Sequence, residues 1–265
     1  MNKLPSIIIL ILLLVQSCAS DTMTSEESIA EKRVLDKAGI LKNSERNQLE
    51  KMLQSYADSS GLELGLYTVD RLDSEQSIQQ LGIQASTEFK AGQEGLNNGA
   101  TILLSKEDRQ AKVEVNYGLE WDIPVVDAND ILQEMIPLLA KDQHFEAFKA
   151  GFQAIHDAGK IHNWEIAYPS FASLKEDLPN SVGKIVSFKS KGITRAYNSV
   201  PIEIQFHPDL FIELKPADFE GETFLIFSNY MVEMVNAIIY ADQPPQIFAR
   251  VADLEPLQLQ LLGIQ

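Results

Sequence analysis

Oxygen-bearing side chains at the ends of predicted strands are the residues of this chain best suited to chemistry. Asp36 lies in the loop before the first predicted helix, Asp70 ends a strand, Asn97 and Asn98 precede the next strand, and Glu120 follows a glycine turn. In an open α/β sheet, ligands collect where loops converge at strand ends. Carboxylates and amides without histidine or thiol suit Ca²⁺ or Mg²⁺ and not zinc or copper. The sequence therefore predicts that these five residues hold Ca²⁺ or Mg²⁺.

Three of these residues also have structural explanations that need no ligand. Asp36 can accept hydrogen bonds from the turn that follows it, because Asp side chains often bond backbone amides two residues on. Asn97 and Asn98, followed by Gly99, can be present because Asn and Gly tolerate a positive φ angle in a tight turn. The residue types alone leave both explanations open.

The turn residues that follow have similar alternatives. Asp108 lies in the connection KEDRQ between two predicted strands, where a solvated turn is the default. Gly118 is expected to serve the backbone, by allowing a close approach between a strand and a loop. Glu120 precedes the apolar residues Trp121 and Ile123 and is therefore expected to be half-buried. A position in a solvated turn therefore explains Glu120 less well than it explains Asp108.

The composition excludes several classes of function. The chain has 265 residues, with 22 Lys+Arg against 38 Asp+Glu, a formal net charge of −16 and a pI of about 4.6. This surplus of acids repels phosphate backbones at long range, so no nucleic-acid partner is expected. A single cysteine excludes an internal disulfide and a cysteine-based zinc or iron–sulfur site. The GxSxG, Walker and GxGxxG signatures are missing.

The N-terminus has the features of a lipoprotein signal peptide. A start with one positive charge, at Lys3, precedes an apolar run at 7–15 that is too short to span a bilayer. The segment LVQSC resembles the lipobox of bacterial lipoproteins, in which the cysteine, here Cys18, receives the lipid. The alternative is an ordinary secretory signal in which Cys18 happens to lie near the cleavage site. A lipidated Cys18 would anchor the chain stably in a membrane.

Residues 1–17 are accordingly predicted to be a signal peptide, and residues 18–33 a lipid-anchored flexible tether. The tether is polar and acidic, with too few apolar residues to offset the entropy of ordering it. Ala19, in place of Asp, favours the outer membrane by resemblance to the sorting pattern of such proteins. The expected location is the bacterial cell envelope, with the protein facing the periplasm.

Helical and strand patterns alternate between residues 34 and 158. Apolar residues recur at helical spacing in four segments, and alternating or wholly apolar runs between them indicate strands. The predicted helices are 44–60, 74–89, 127–139 and 145–155, and the predicted strands are 62–69, 100–104 and 112–117. This alternation predicts an α/β fold, a three-layer α/β/α sandwich with helices on both faces of a small sheet.

The pattern changes beyond a predicted linker at 159–170, where Trp164 and Tyr168 are expected to pack between domains. Residues 171–265 are predicted to form a smaller α+β or barrel-like domain. Its predicted strands are 201–207, 210–214, 223–227 and 247–251, with a buried helix at 231–239. The apolar C-terminal tail either docks on its own domain or is offered to a partner strand.

Three segments within residues 34–158 resemble the TPM domain family, named for a thylakoid lumen protein, a photosystem II repair protein and a receptor-modulating protein. The segments are VLDKAGIL at 34–41, NNGATILLSKEDRQAKVEVNYGLE at 97–120, and the helix pair ending near Asp157. The resemblance implies an extracytoplasmic, membrane-tethered protein that binds a divalent cation. For the plant branch of the family it also implies a modest acid phosphatase activity.

Two functions are consistent with these observations. The first is a lipid-anchored, cation-binding interaction module that assists the assembly or maintenance of envelope proteins. The alternative is a cation-dependent phosphomonoester hydrolase in which Asp36, Asp108 or Glu120 activates water while the cation polarises the phosphoryl group. The sequence favours the first function, because no nucleophile is evident. The cationic side chains that could clamp a phosphate are confined to one hairpin, at Lys106, Arg109 and Lys112.

Overall fold

The computed structural model describes residues 32–89, 91–194, 210–216, 223–227, 245–254 and 257–265. Cys18, the predicted signal peptide and nearly all of the tether lie outside these ranges, as do the predicted strand at 201–207 and the predicted helix at 231–239. Residues Arg33–Gln265 form one compact unit. None of the described helices is both long and apolar enough to cross a membrane.

The first sheet contains four strands in the order β1-β2-β3-β4. They are β1 (Val34–Asp36), β2 (Glu63–Val69), β3 (Gly99–Ser105) and β4 (Gln110–Val115). The first three strands are parallel, and β4 returns antiparallel to β3 with Ala100 opposite Val115. The sequence does not predict β1, because three residues are too few to show an alternating pattern.

Helices cover both faces of this sheet, which confirms the predicted three-layer sandwich. They are α1 (Asn43–Ser60), α2 (Ile78–Phe89), α3 (Val125–Leu139) and α4 (His144–Gly159). On one face, Leu64, Leu66 and Ile102 share a core cluster with buried residues of α1, α3 and α4. On the other face, Tyr67 and Leu103 pack with buried residues of α2.

The second sheet closes into a barrel. Its strands are β5 (Ile166–Tyr168), β6 (Ile185–Thr194), β7 (Leu210–Pro216), β8 (Thr223–Phe227), β9 (Gln246–Leu254) and β10 (Leu257–Ile264), with helix α5 (Phe171–Glu176) between β5 and β6 in sequence. The order is β5-β6-β7-β8-β10-β9, and a further pairing of β6 with β9 closes a ring of five strands. The barrel-like C-terminal domain is therefore confirmed.

The connectivity of this ring is that of an OB-fold, a five-stranded Greek-key barrel. β10 is parallel to β8, while the other neighbouring strands of the ring are antiparallel. The barrel has its own core cluster, which includes Leu225, Ile247 and Leu259. The apolar tail is strand β10 and is docked on β8 and β9 of the same chain. The first of the two explanations for the tail is therefore correct.

The predicted linker at 159–170 connects the two cores and includes β5. Trp164 is buried in the core cluster of the first sheet, and Tyr168 is buried in the cluster of the barrel. The first cluster also includes Ile185, Phe248 and Leu262 from the barrel strands. The two sheets therefore share buried apolar contacts within one compact unit.

Candidate functional site

The five predicted metal ligands lie in two groups at opposite edges of the first sheet. Asp36 ends β1 and Asp70 follows β2, so both lie at the carboxyl edge of the parallel strands. Asn97 and Asn98 precede β3, and Glu120 follows the antiparallel β4, so these three lie at the amino edge. The seven residues of β3 separate the two edges by roughly 20 Å. The fold therefore does not bring all five together, and only a smaller site at one edge stays a prediction.

The side chain of Asp36 accepts hydrogen bonds from the turn that follows it. Its side chain is 0% exposed, and its oxygens accept hydrogen bonds from the Thr68 hydroxyl at 2.6 Å and from the backbone amides of Ile40 and Leu41 at 3.2 and 3.0 Å. A guanidinium nitrogen of Arg46 lies 3.5 Å from the same carboxylate. Asp36 thus has the structural role that its residue type allows, as a hydrogen-bond acceptor for the turn that leads into α1.

Asp108 joins the β3–β4 turn to the loop after β2. Its Oδ2 accepts hydrogen bonds from the Leu72 amide at 2.7 Å and from the Ser105 hydroxyl at 2.6 Å. The Leu72 and Ser105 hydrogen bonds, followed by the charge of Arg71, hold the pKa of Asp108 below its ordinary value. A carboxylate held in its ionised form is a weak general base near neutral pH.

Asp70 is the exposed member of the predicted ligand set. Its side chain is 61% exposed, and its carboxylate lies 3.8 Å from the Lys106 ammonium. Within the described ranges, no three His, Cys, Asp or Glu side chains come together in a way that could hold a metal ion. Any cation at the carboxyl edge would therefore depend mainly on Asp70.

At the amino edge, both asparagines have structural partners. Asn98 is fully buried. Its amide oxygen accepts a hydrogen bond from the Gln93 amide at 2.7 Å, and its amide nitrogen donates to the Gly61 carbonyl at 2.8 Å. Asn97 has a φ of 50°, as the turn explanation requires, and donates to the Leu262 carbonyl of β10 at 3.1 Å.

The turn after β4 is packed tightly against the loop before β3. A Cβ atom on Gly118 would lie 1.9 Å from the carbonyl oxygen of Leu96, which confirms the predicted close backbone approach. Glu120 lies in a short 3₁₀ helix, Leu119–Trp121, and its amide donates to the Asn116 carbonyl at 3.2 Å. Glu120 is half-buried, as predicted.

A buried ion pair joins the amino edge to the barrel. The guanidinium of Arg250 in β9 donates to both carboxylate oxygens of Asp122 at 3.1 Å, and these side chains are 2% and 4% exposed. Arg250 also stacks over the Trp164 ring, 4.7 Å from its centroid. His162 Nδ1 lies 2.8 Å from Asp122, and the indole N–H of Trp121 donates to a carbonyl of β10 at 2.8 Å. We call these five residues the barrel interface.

A cavity of about 440 Å³ opens at the carboxyl edge, and we call it the carboxyl-edge pocket. Its apolar side comes mainly from the end of β3 and the C-terminal half of α3. Its polar side comes from the β3–β4 turn and from the connection between α3 and α4. The residues that define it are Leu104, Leu132, Ile136 and Leu139 on the apolar side, and Lys106, Arg109, Asp142 and His144 on the polar side.

The sequence does not reveal this pocket, because the residues that line it come from separate elements. One signal is present in α3. Ala128, Ile131 and Met135 face the core, and a second apolar row at Leu132, Ile136 and Leu139 widens the stripe toward the pocket.

Residues 34–158 match the family model of the TPM domain. These residues are a TPM domain. Two solution structures resemble the chain. The N-terminal domain of a protein from P. gingivalis shares 21% identity with a TM-score of 0.45, covering 49% of this chain and 83% of that chain. The N-terminal domain of cg2496 from Corynebacterium glutamicum shares 11% identity with a TM-score of 0.41, covering 55% and 93%. No curated protein matches the chain.

The TPM domain contains both edges of the first sheet and the carboxyl-edge pocket. The barrel lies beyond the matched residues. It contributes Arg250 and a carbonyl of β10 to the amino edge. The amino edge of the TPM domain is therefore occupied by structural contacts, and the carboxyl edge is the more open of the two.

Proposed function

We propose that this chain is a lipid-anchored, extracytoplasmic binding module that acts in the assembly or maintenance of cell-envelope proteins. The observation that carries the proposal is the separation of the candidate catalytic carboxylates. Asp36 and Asp108 lie at the carboxyl edge of the TPM domain, whereas Glu120 lies at the amino edge. Hydrolysis requires its base and charge-stabilising groups within hydrogen-bond reach of one substrate.

The sequence of the N-terminus supports the location. Lipidation of Cys18 after removal of residues 1–17 would hold the compact unit near the outer membrane, facing the periplasm, with residues 18–33 as the tether. The partner would be an envelope protein. The strongly negative charge of the chain disfavours nucleic acid as a partner.

The proposal includes a divalent cation, but one held by fewer protein ligands than the five that the sequence predicts. The oxygens of Asp36 and the amide of Asn98 are used by the fold, and Asp70 has an exposed carboxylate at the carboxyl edge. Hard oxygen donors of this kind suit Ca²⁺ or Mg²⁺. Such an ion would stabilise the TPM domain rather than take part in chemistry.

The alternative, a cation-dependent phosphomonoester hydrolase, rests on one specific observation. Asp108 lies in the same turn as Lys106 and Arg109, whose charges could bind a phosphate group. The lowered pKa of Asp108 weakens it as a base. For this reason we place hydrolysis second.

One experiment with two arms tests the proposal. In the first arm, the full chain is expressed in a bacterial host with a clickable fatty acid, and Cys18→Ser is the matched control. Label and membrane association are expected in the wild type and absent in the variant, and label retained by the variant would contradict lipidation of Cys18.

In the second arm, residues 19–265 are assayed for phosphomonoester turnover and for thermal stabilisation by Ca²⁺ or Mg²⁺. A binding module should show no turnover. A cation at the carboxyl edge should raise the melting temperature, and Asp70→Asn should abolish that rise while Glu120→Gln leaves it unchanged. Turnover that is lost in Asp108→Asn would favour the hydrolase instead.

A further inference from the structure

The carboxyl-edge pocket has the size and surface of a small-molecule site. Its volume of about 440 Å³ lies within the range of roughly 300–1,000 Å³ typical of ligand pockets. The apolar side is made of aliphatic side chains, and one of them, Ile136, is 42% exposed. An aliphatic ligand would remove this apolar surface from water.

Arg109 is a cationic side chain of the pocket that forms no ion pair with a carboxylate of the described residues. Arg46 and Arg71, the other arginines of the TPM domain, are each paired with a carboxylate. No carboxylate in the described part of the chain lies within 4.0 Å of the Arg109 guanidinium. An arginine presents several donors that match a carboxylate or phosphate in a bidentate manner.

The backbone of Arg109 is also unusual. Its φ of 53° is a left-handed conformation that costs an L-residue about 1 kcal/mol and that glycine adopts without this cost. Arginine therefore occupies a turn position that favours glycine or asparagine. An energetic cost of this kind often marks a residue whose side chain is used.

The charge of the lining residues indicates the charge of the ligand. Lys106 and Arg109 are cationic and Asp142 is anionic, so these three side chains carry a net charge of +1. A ligand with one negative charge balances this surplus, whereas a phosphate dianion exceeds it. Lys106 also lies 3.8 Å from Asp70, which is not part of the pocket lining, and this carboxylate further disfavours a phosphate dianion.

From these observations we propose that the carboxyl-edge pocket binds an aliphatic monocarboxylate. The carboxylate pairs with Arg109 and Lys106, and the hydrocarbon part packs against Leu132, Ile136 and Leu139. This site is separate from the lipid anchor and from the barrel interface. The proposed function in the cell envelope does not require this site, and a failure of the site to bind its ligand would not contradict that function.

Isothermal titration calorimetry of residues 19–265, which contain the whole compact unit, tests the site with decanoate below its micellar concentration. Saturable one-to-one binding is expected. Arg109→Gln should weaken it about tenfold or more, because a hydrogen-bonded ion pair is lost. Ile136→Asp, at a 42% exposed position outside the core cluster, should weaken it similarly by placing a charge against the hydrocarbon chain.

Control variants and control ligands distinguish specific binding in the pocket from non-specific binding of a detergent-like molecule. Arg71→Gln removes an exposed arginine of the same edge that does not line the pocket, and it should leave the affinity unchanged. Decanol and decyltrimethylammonium should bind far more weakly than decanoate. Equal affinity in Arg109→Gln, or tighter binding of decyl phosphate than of decanoate, would overturn the monocarboxylate assignment. Labelling at Cys18 is unaffected by either result.

Discussion

His156 is a partly buried titratable side chain that lies outside both edges of the TPM sheet. Its ring stacks on Tyr56 with centroids 3.9 Å apart and planes inclined by 10°. The side chain is 12% exposed, and neither ring nitrogen has a hydrogen-bond partner among the described residues. Burial, together with the charge of Lys160, lowers the pKa of His156, and Asp157 opposes the shift.

This shift predicts a loss of stability on mild acidification. Because the folded pKa lies below the unfolded value of about 6.5, the unfolded chain binds more protons as the pH falls below that value. The stabilising contribution of neutral His156 is fully present above a pH of about 6.5 and is lost as the pH falls through the folded pKa. His156→Phe keeps an aromatic ring against Tyr56 but cannot titrate, so its stability should fall less between about pH 7.5 and about pH 5.5.

Urea unfolding at the two pH values measures this effect. Tyr56→Phe is the matched control, because it removes the hydrogen bond from the Tyr56 hydroxyl to Gln153 at 2.6 Å and leaves the histidine in place. That variant should lose stability by the same amount at both pH values. A His156→Phe variant with the full pH dependence of the wild type would contradict the prediction.

At the scale of single residues, the sequence predicts conformation better than role. The positive φ of Asn97, the half-burial of Glu120 and the close approach at Gly118 follow from residue type and neighbours. The role of Asp36 does not, because a metal ligand and a turn cap use the same carboxylate oxygens. Only the positions of Thr68 and the amides of Ile40 and Leu41 show that the fold uses these oxygens as hydrogen-bond acceptors.

The turn after β4 and the loop before β3 approach each other closely through their backbones, at Gly118 and Leu96. Gly118 has an ordinary helical backbone, with φ −66° and ψ −32°, so conformational strain does not explain the glycine. Lack of space explains the glycine, because an added Cβ would overlap the carbonyl oxygen of Leu96. Gly118→Ala should lower the free energy of unfolding by about 3 kcal/mol, since the backbone of one loop must move.

Gly39→Ala provides the comparison for this element. Gly39 has a φ of 60°, but nothing lies within 4 Å of the position that an alanine methyl group would occupy there. Its substitution therefore costs only about 1 kcal/mol of backbone strain. Chemical denaturation of both variants distinguishes steric overlap from strain. Equal losses at the two positions would show that the β4 turn relaxes freely.

Elements with a strong local pattern are predicted from the sequence, and the others are not. The four long helices and the strands β2, β3 and β4 have clear apolar periodicity and lie within a few residues of their predicted bounds. The short strands β1 and β5 have three residues each. In β6, serine, lysine and glycine interrupt the apolar alternation. These strands are held by pairing with distant parts of the chain, which no local pattern contains.

At the scale of the whole molecule, the positions of the candidate site residues also depend on pairing between strands that are distant in sequence. The antiparallel return of β4 places Glu120 at the amino edge, far from Asp36. Closure of the barrel by β6 and β9 places Arg250 beside Asp122. The sequence predicts a TPM domain and a barrel-like domain, but it does not show that an ion pair and shared apolar contacts join them.

The barrel interface predicts that the TPM domain and the barrel unfold together. The chain has two tryptophans, and both lie at this interface, Trp121 bonded to β10 and Trp164 beneath Arg250. Their fluorescence therefore reports the interface, while far-ultraviolet circular dichroism reports both sheets and all helices. In residues 19–265 the two urea transitions should coincide.

Asp122→Asn tests whether the ion pair maintains this coupling. The substitution leaves Arg250 buried without its carboxylate, which should lower the free energy of unfolding by about 3–5 kcal/mol. The matched control Asp130→Asn changes an exposed residue of α3 and should alter stability by no more than about 0.5 kcal/mol. Separate fluorescence and dichroism transitions in the wild type would instead show that the barrel folds independently, as the predicted boundary at 159–170 implies.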